Sequence, residues 1–264
     1  MRRLDHHSKS PFGNIMQWIK SEFVWIRYHF FQRYMNHKAP PGRAYVPTDP
    51  EHIANVVTHA LFILPSLVGM LWMLSMAVNS SQHISAMVYG GALLALFSVS
   101  TAFHSLSYWG RFSALKEFFH IGDRAIIYIF IAASYTPWLV LKTFNGWSTS
   151  QLLWIIWVMA ILGILYQYTF HEQYKWLETF FYLVIGVCPS IIIVHMEDLS
   201  GVYEVLLGGL VYVCGVVFFK CDGRIPFAHA IWHCFVSVGA VFHFCAVCKY
   251  LIGAEALKHM EKAS

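Results

Sequence analysis

The chain has 264 residues, of which 58% are hydrophobic, 17% aromatic and only 12% charged. Soluble domains carry about twice that share of charge, and disordered chains need low hydrophobicity, so both classes are excluded. A formal charge of +4 without a dense Lys/Arg run is a poor footprint for nucleic acid, and an all-α membrane protein remains.

The first 50 residues hold no long apolar run and so no cleavable signal peptide of the usual pattern. From Phe12, the residues Ile15, Ile19, Phe23, Ile26, Phe30 and Tyr34 recur every three or four positions. That spacing predicts a helix over about 12–35 with one apolar stripe, flanked by Lys20, Arg27 and Arg33. Such a helix suits a membrane surface, or alternatively packs on the protein's own loops. A Pro-rich joint with Pro40, Pro41, Pro47 and Pro50 separates it from the rest of the chain.

Seven apolar stretches come next: Ile53–Val78, Ile84–Leu106, Ile121–Leu141, Leu152–Phe170, Leu177–His195, Tyr203–Phe219 and Ala228–Leu251. Each is about long enough to cross the bilayer as a helix. The expected organisation is an N-terminal segment 1–50, a seven-helix domain 51–251 and a short tail 252–264. Fourteen of the 18 Lys and Arg fall in the N-terminal segment, the even-numbered loops and the start of span three, which predicts a cytosolic N-terminus and a lumenal or extracellular C-terminus. That is the reverse of a G-protein-coupled receptor. The Asn79-Ser80-Ser81 sequon lies on the lumenal side, in a loop too short for ready modification. All six cysteines lie in the last third, five of them in apolar stretches, which does not read as a disulfide framework.

Ionisable groups inside spans are costly and each asks for a role. His229 and His233 stand at i and i+4 on span seven, the spacing of a bidentate zinc clamp; taken alone, the pair reads more readily as packed core or interface histidines. Ser100 and His104 stand at i and i+4 on span two, and Asp123 opens span three. The topology puts His104, Asp123, His229 and His233 at one depth, near the cytosolic face. Three imidazoles would leave a fourth zinc position open, with Asp123 to orient a ligand or take a proton, or else to pair with Arg124 or cap the loop. His120 is expected in the loop, His243 too deep to join, and His59 and His195 as packed or interfacial residues. Thr48 and Glu51 have capping-box spacing, whereas Asn55, one turn on, needs a partner inside the span.

Together, Glu51-x-x-x-Asn55, Ser100-x-x-x-His104, Asp123 and Pro226-x-x-His229-x-x-x-His233 resemble the progestin and adipoQ receptor family, related to bacterial hemolysin-III proteins. Stretches such as Ile129–Tyr135 and Gly215–Lys220 resemble its monocyte-to-macrophage differentiation factor subgroup. The resemblance covers the seven-helix core. It implies that His104, His229 and His233 bind Zn²⁺ and that Asp123 and Ser100 lie around the metal-bound water, with Glu51 and Asn55 supporting. It further implies a receptor-like protein, with ceramidase-like hydrolysis of a lipid amide as the chemistry of some members. The subgroup is associated with Golgi, endosomal or lysosomal membranes and with Ras-pathway signalling. The expected partners are thus a lipid-like small molecule, the bilayer and cytosolic signalling proteins. Two other readings remain: a non-catalytic scaffold with structural zinc, and a pore-forming protein. The helix at 12–35 is longer than that subgroup leads one to expect.

Overall fold

The computed structural model describes residues 11–40, 42–146 and 148–253; the first ten residues and the expected tail beyond Gly253 lie outside that range. The described residues are helical, with one isolated bridge between Phe144 and Met196. Helix α1 covers Pro11–Tyr34, and the bundle continues as α2 (Asp49–Met76), α3 (Ser80–Trp109), α4 (Ser113–Leu141), α5 (Thr149–Phe170), α6 (Lys175–Val187), α7 (Val202–Phe219) and α8 (Ala228–Val247). Seven of the described helices are long and apolar enough to span a bilayer.

Their boundaries reflect local chemistry. Asn79 caps α3, its Oδ1 accepting the Gln82 N–H at 2.9 Å, so the sequon side chain is already engaged. Gly110, at φ +65°, closes the same helix through its N–H to the Leu106 carbonyl. Three expectations need correction. Span three begins at Ser113 rather than Ile121, so His120 lies on a helix and not in a loop. The added turns contain Ala114, Leu115, Lys116 and Glu117, good helix formers that an apolar window misses because they are partly charged. Span five is α-helical only to Val187 and continues as a 3₁₀ segment, Cys188–His195, because Pro189 cannot donate the next α-helical hydrogen bond. The capping box is not made: Thr48 makes no side-chain cap bond, and Pro50 removes one of the donors such a cap uses.

Sequence neighbours pack in turn around the bundle, α8 closes back on α2, and α6 meets α7 more loosely than α7 meets α8. Close approach depends on small residues. A Cβ on Gly163 would lie 2.4 Å from the Tyr128 ring, so α5 seats against α4 only because that position is glycine. The main apolar core is built from α2, α3, α4 and α8 around Phe97, Leu93, Phe130 and Val236.

Charge fixes the base of α4. Arg124 donates to both Glu178 oxygens (2.7 and 2.8 Å) and to Glu172 (2.6 Å), which Lys175 also meets at 2.6 Å. Arg124 is therefore committed to α6 and the α5–α6 loop, which removes its pairing with Asp123 as the explanation of that carboxylate. Beside it, Gln167 meets His171 Nδ1 (2.7 Å), His171 Nε2 meets His120 Nδ1 (3.0 Å), and His120 Nε2 lies 3.3 Å from Glu172. Burial, reinforced by His120 and Arg124, holds His171 down to about 4. A histidine whose folded pKa is depressed favours folding above its unfolded value, near 6.5, and that contribution is lost as pH falls from there toward 4. We expect the thermal midpoint to drop across this window, and His171→Phe to flatten the drop in a pH series of melting curves.

Candidate metal centre

The site sits at one end of the bundle, where the last turns of α3 meet the first turns of α2 and α8. Because i and i+4 share a helix face, α8 presents His229 and His233 together, and α3 brings His104 to them. One ligating atom from each lies within 4.8 Å of the others. The ring centroids are 5.2 Å apart for His104 and His229, 4.9 Å for His104 and His233, and 4.7 Å for His229 and His233. All three are buried.

These rings have nitrogen lone pairs that the protein leaves unmet. His104 Nε2 and both His229 nitrogens are buried without a hydrogen-bond partner. On His233, Nδ1 lies 3.1 Å from Thr58 Oγ1. That hydroxyl gives its proton to the Ala54 carbonyl at 2.8 Å, so it accepts from His233 Nδ1–H and leaves Nε2 with its lone pair. Unpaired buried polar atoms are costly. Three converging neutral imidazoles form a donor set suited to Zn²⁺, so the residues fit a metal ion.

The neighbours hold the ligands. Thr58 orients His233, and Asp222 Oδ2 stands 3.9 Å from His229 Nδ1, on the side where a carboxylate commonly steadies a ligating imidazole. Burial lifts Asp222 to about 7. Tyr45 lies against His229 at 4.9 Å between rings and accepts a 2.6 Å hydrogen bond from Asn55 Nδ2, which supplies the partner Asn55 required. Glu51 is wholly buried with neither oxygen partnered, and the Ser100 hydroxyl is likewise buried and unpartnered. Asp123, half-buried, lines the same cavity as Ser100 and the three histidines.

That cavity is about 470 Å³. The three histidines, Ser100 and Asp123 line one end, and the remainder runs mainly between apolar side chains such as Phe130, Leu139, Val205, Leu210 and Val236, with Ser134, Ser190 and His243 among them. His59 is buried as expected, stacked on His233 at 3.7 Å and edge-on to Phe97, and it also faces the cavity. His243 also lines the cavity but lies outside the three-histidine cluster, its Nε2 accepting from Trp138 Nε1 at 3.2 Å. His120 joins a different group with His171 and Glu172, whose carboxylate is already held by Arg124 and Lys175. Thr58, Tyr45 and Asp222 had no signal in the sequence, since each acts through a contact with a distant segment.

Fold and site define a multi-pass helical membrane protein whose bundle closes around a buried three-histidine cluster able to hold a metal ion. The chain belongs to the haemolysin-III-related family, whose profile matches residues 50–244. It is similar to the monocyte to macrophage differentiation factor of Homo sapiens, with 47% identity over 223 residues, 84% of this chain and 93% of that protein. It is also similar to the Hemolysin-3 homolog of Bacillus subtilis (strain 168), with 34% identity over 211 residues, 78% of this chain and 96% of the relative. The Hemolysin-3 of Bacillus cereus matches at 34% over 208 residues, 76% of this chain and 92% of its own length.

Proposed function

We propose that this protein is a receptor-like, zinc-dependent hydrolase of a lipid amide, its metal held by His104, His229 and His233 near the cytosolic face. The observation that carries the reading is the convergence of buried, unpartnered imidazole nitrogens on a largely apolar cavity. Zn²⁺ bound there supplies Lewis acidity, polarising a carbonyl and acidifying water. The chain supplies the rest. Asp123 is the proton acceptor facing the cavity, and Ser100 offers a free hydroxyl to the substrate's polar group. Thr58 holds His233 in the tautomer that presents Nε2, and the apolar walls exclude water from the acyl chain. Metal analysis of purified protein together with a lipid-amide turnover assay tests this reading: about one Zn²⁺ per chain and measurable release of fatty acid are expected. Zinc without turnover would favour a scaffold in which the metal fastens α3 to α8, a reading supported by the ligands coming from those two helices alone.

The orientation rests on the distribution of Lys and Arg, with the N-terminus cytosolic and the C-terminus lumenal, in an internal membrane. Epitope tags at the two ends, probed in selectively permeabilised cells, should stain only the N-terminal tag before lumenal access is opened. A C-terminal tag that stains at that stage would reverse the orientation and place the histidines at the other face.

A further inference from the structure

We infer that α1 is a docking element for an anionic lipid surface, held at the level of the membrane boundary by the loop that leads into α8. The helix has 24 residues, about 36 Å of length, and does not pack along any other described helix. Its stripe is laid bare: Phe12 is 74% exposed, Ile15 56%, Ile19 48%, Phe23 68%, Ile26 58% and Phe30 46%. At 3.6 residues per turn these six side chains fall within roughly 80° of arc, with Lys20 and Arg27 bordering one edge. Three basic residues stand against the single acidic Glu22 along the helix. An apolar strip of this size left to water would be a liability in a folded protein, and a basic border selects an anionic partner.

The far end of α1 shows which partner is in reach. The Tyr34 ring lies 5.6 Å from that of Phe227, the residue that immediately precedes α8. Asn36 is almost wholly buried, and its Oδ1 accepts the Gly223 N–H at 3.1 Å. Gly223, at φ +73°, lets the chain pass so near that a Cβ would sit 2.5 Å from the Lys38 backbone. These contacts pin the C-terminal end of α1 beside the loop that leads into α8, at the level where that span leaves the bilayer. A helix leaving from that level has the headgroup layer next to it, so the lipid surface is the occupant in immediate reach. This inference goes beyond the metal reading and does not depend on it.

The test uses the full-length protein in lipid nanodiscs, either all phosphatidylcholine or containing phosphatidylserine, with hydrogen–deuterium exchange monitored over residues 11–34. The same lipid faces both sides of each disc, so the outcome is independent of orientation. We expect α1 amides to exchange at least about tenfold more slowly in the anionic discs. Ile19→Asp combined with Phe23→Asp should abolish that slowing while leaving exchange in the spans unchanged. Lys20→Ser with Arg27→Ser should erase the difference between the two lipids. Equal exchange in both lipids by the unaltered protein would overturn the proposal. So would slow exchange that survives the Asp variants, since the helix would then be covered by protein.

Discussion

Replacing His229 or His233 with alanine is expected to remove zinc from the purified protein and to lower its thermal midpoint in the same preparation. The reason is linkage: an ion that binds only the folded state stabilises it by an amount set by its free concentration relative to its dissociation constant. At a hundredfold excess over Kd that is about 2.7 kcal/mol, which for a chain of this size is on the order of 5–10 °C. His104→Ala should behave alike, although its ligand comes from a different helix. Chelation of the unaltered protein should reproduce the drop, and added zinc should rescue the unaltered protein but not the variants. His243→Ala is the informative comparison. It leaves Trp138 Nε1 without its acceptor, so stability should fall, yet its ring is outside the cluster and zinc content should stay at the unaltered level. Zinc content thus separates loss of a ligand from loss of a packed histidine. Retention of zinc in both His229→Ala and His233→Ala would remove the site, and the enzymatic reading with it.

Asp123→Asn should keep zinc and fold while reducing any lipid-amide turnover by about 10²–10⁴-fold, the usual share of a positioned general base. The carboxamide keeps the shape and can still hydrogen-bond, but it cannot accept a proton at neutral pH. The structure makes this substitution clean. Arg124 is paired with Glu172 and Glu178, so neutralising Asp123 breaks no ion pair that holds α4 in place. Arg124→Gln is the opposite case: it leaves the buried Glu178 carboxylate without its cationic partner and Glu172 with only Lys175 and His120, and breaking such a pair is costly to stability whatever happens to the metal. Measured side by side for zinc, melting point and turnover, the two variants assign neighbouring residues to different tasks. Undiminished turnover in Asp123→Asn would take the proton-accepting role from Asp123.

A similar division separates what is legible along the chain from what exists only once the chain packs. Composition and apolar run length alone define a multi-pass helical membrane protein, because a bilayer leaves an exposed backbone few ways to satisfy its polar groups. Helical spacing and topology bring His104, Asp123, His229 and His233 to one depth, since depth along a span is simply residue count. Lateral position is not a function of residue count, and there the sequence is silent. It could not say that Thr58 meets His233, that Tyr45 reaches both Asn55 and His229, or that Asp222 approaches His229. It left Asp123 the choice of Arg124, adjacent in the chain, whereas the fold gives Arg124 to two glutamates about 50 residues away. It set His120 in a loop because the turns that carry it are too polar for an apolar window, and it ran span five straight through Pro189. Periodicity along one helix is written locally. Which face meets which neighbour depends on glycines such as Gly163, on buried ion pairs and on the closure of α8 against α2, and those are settled only when the whole bundle packs.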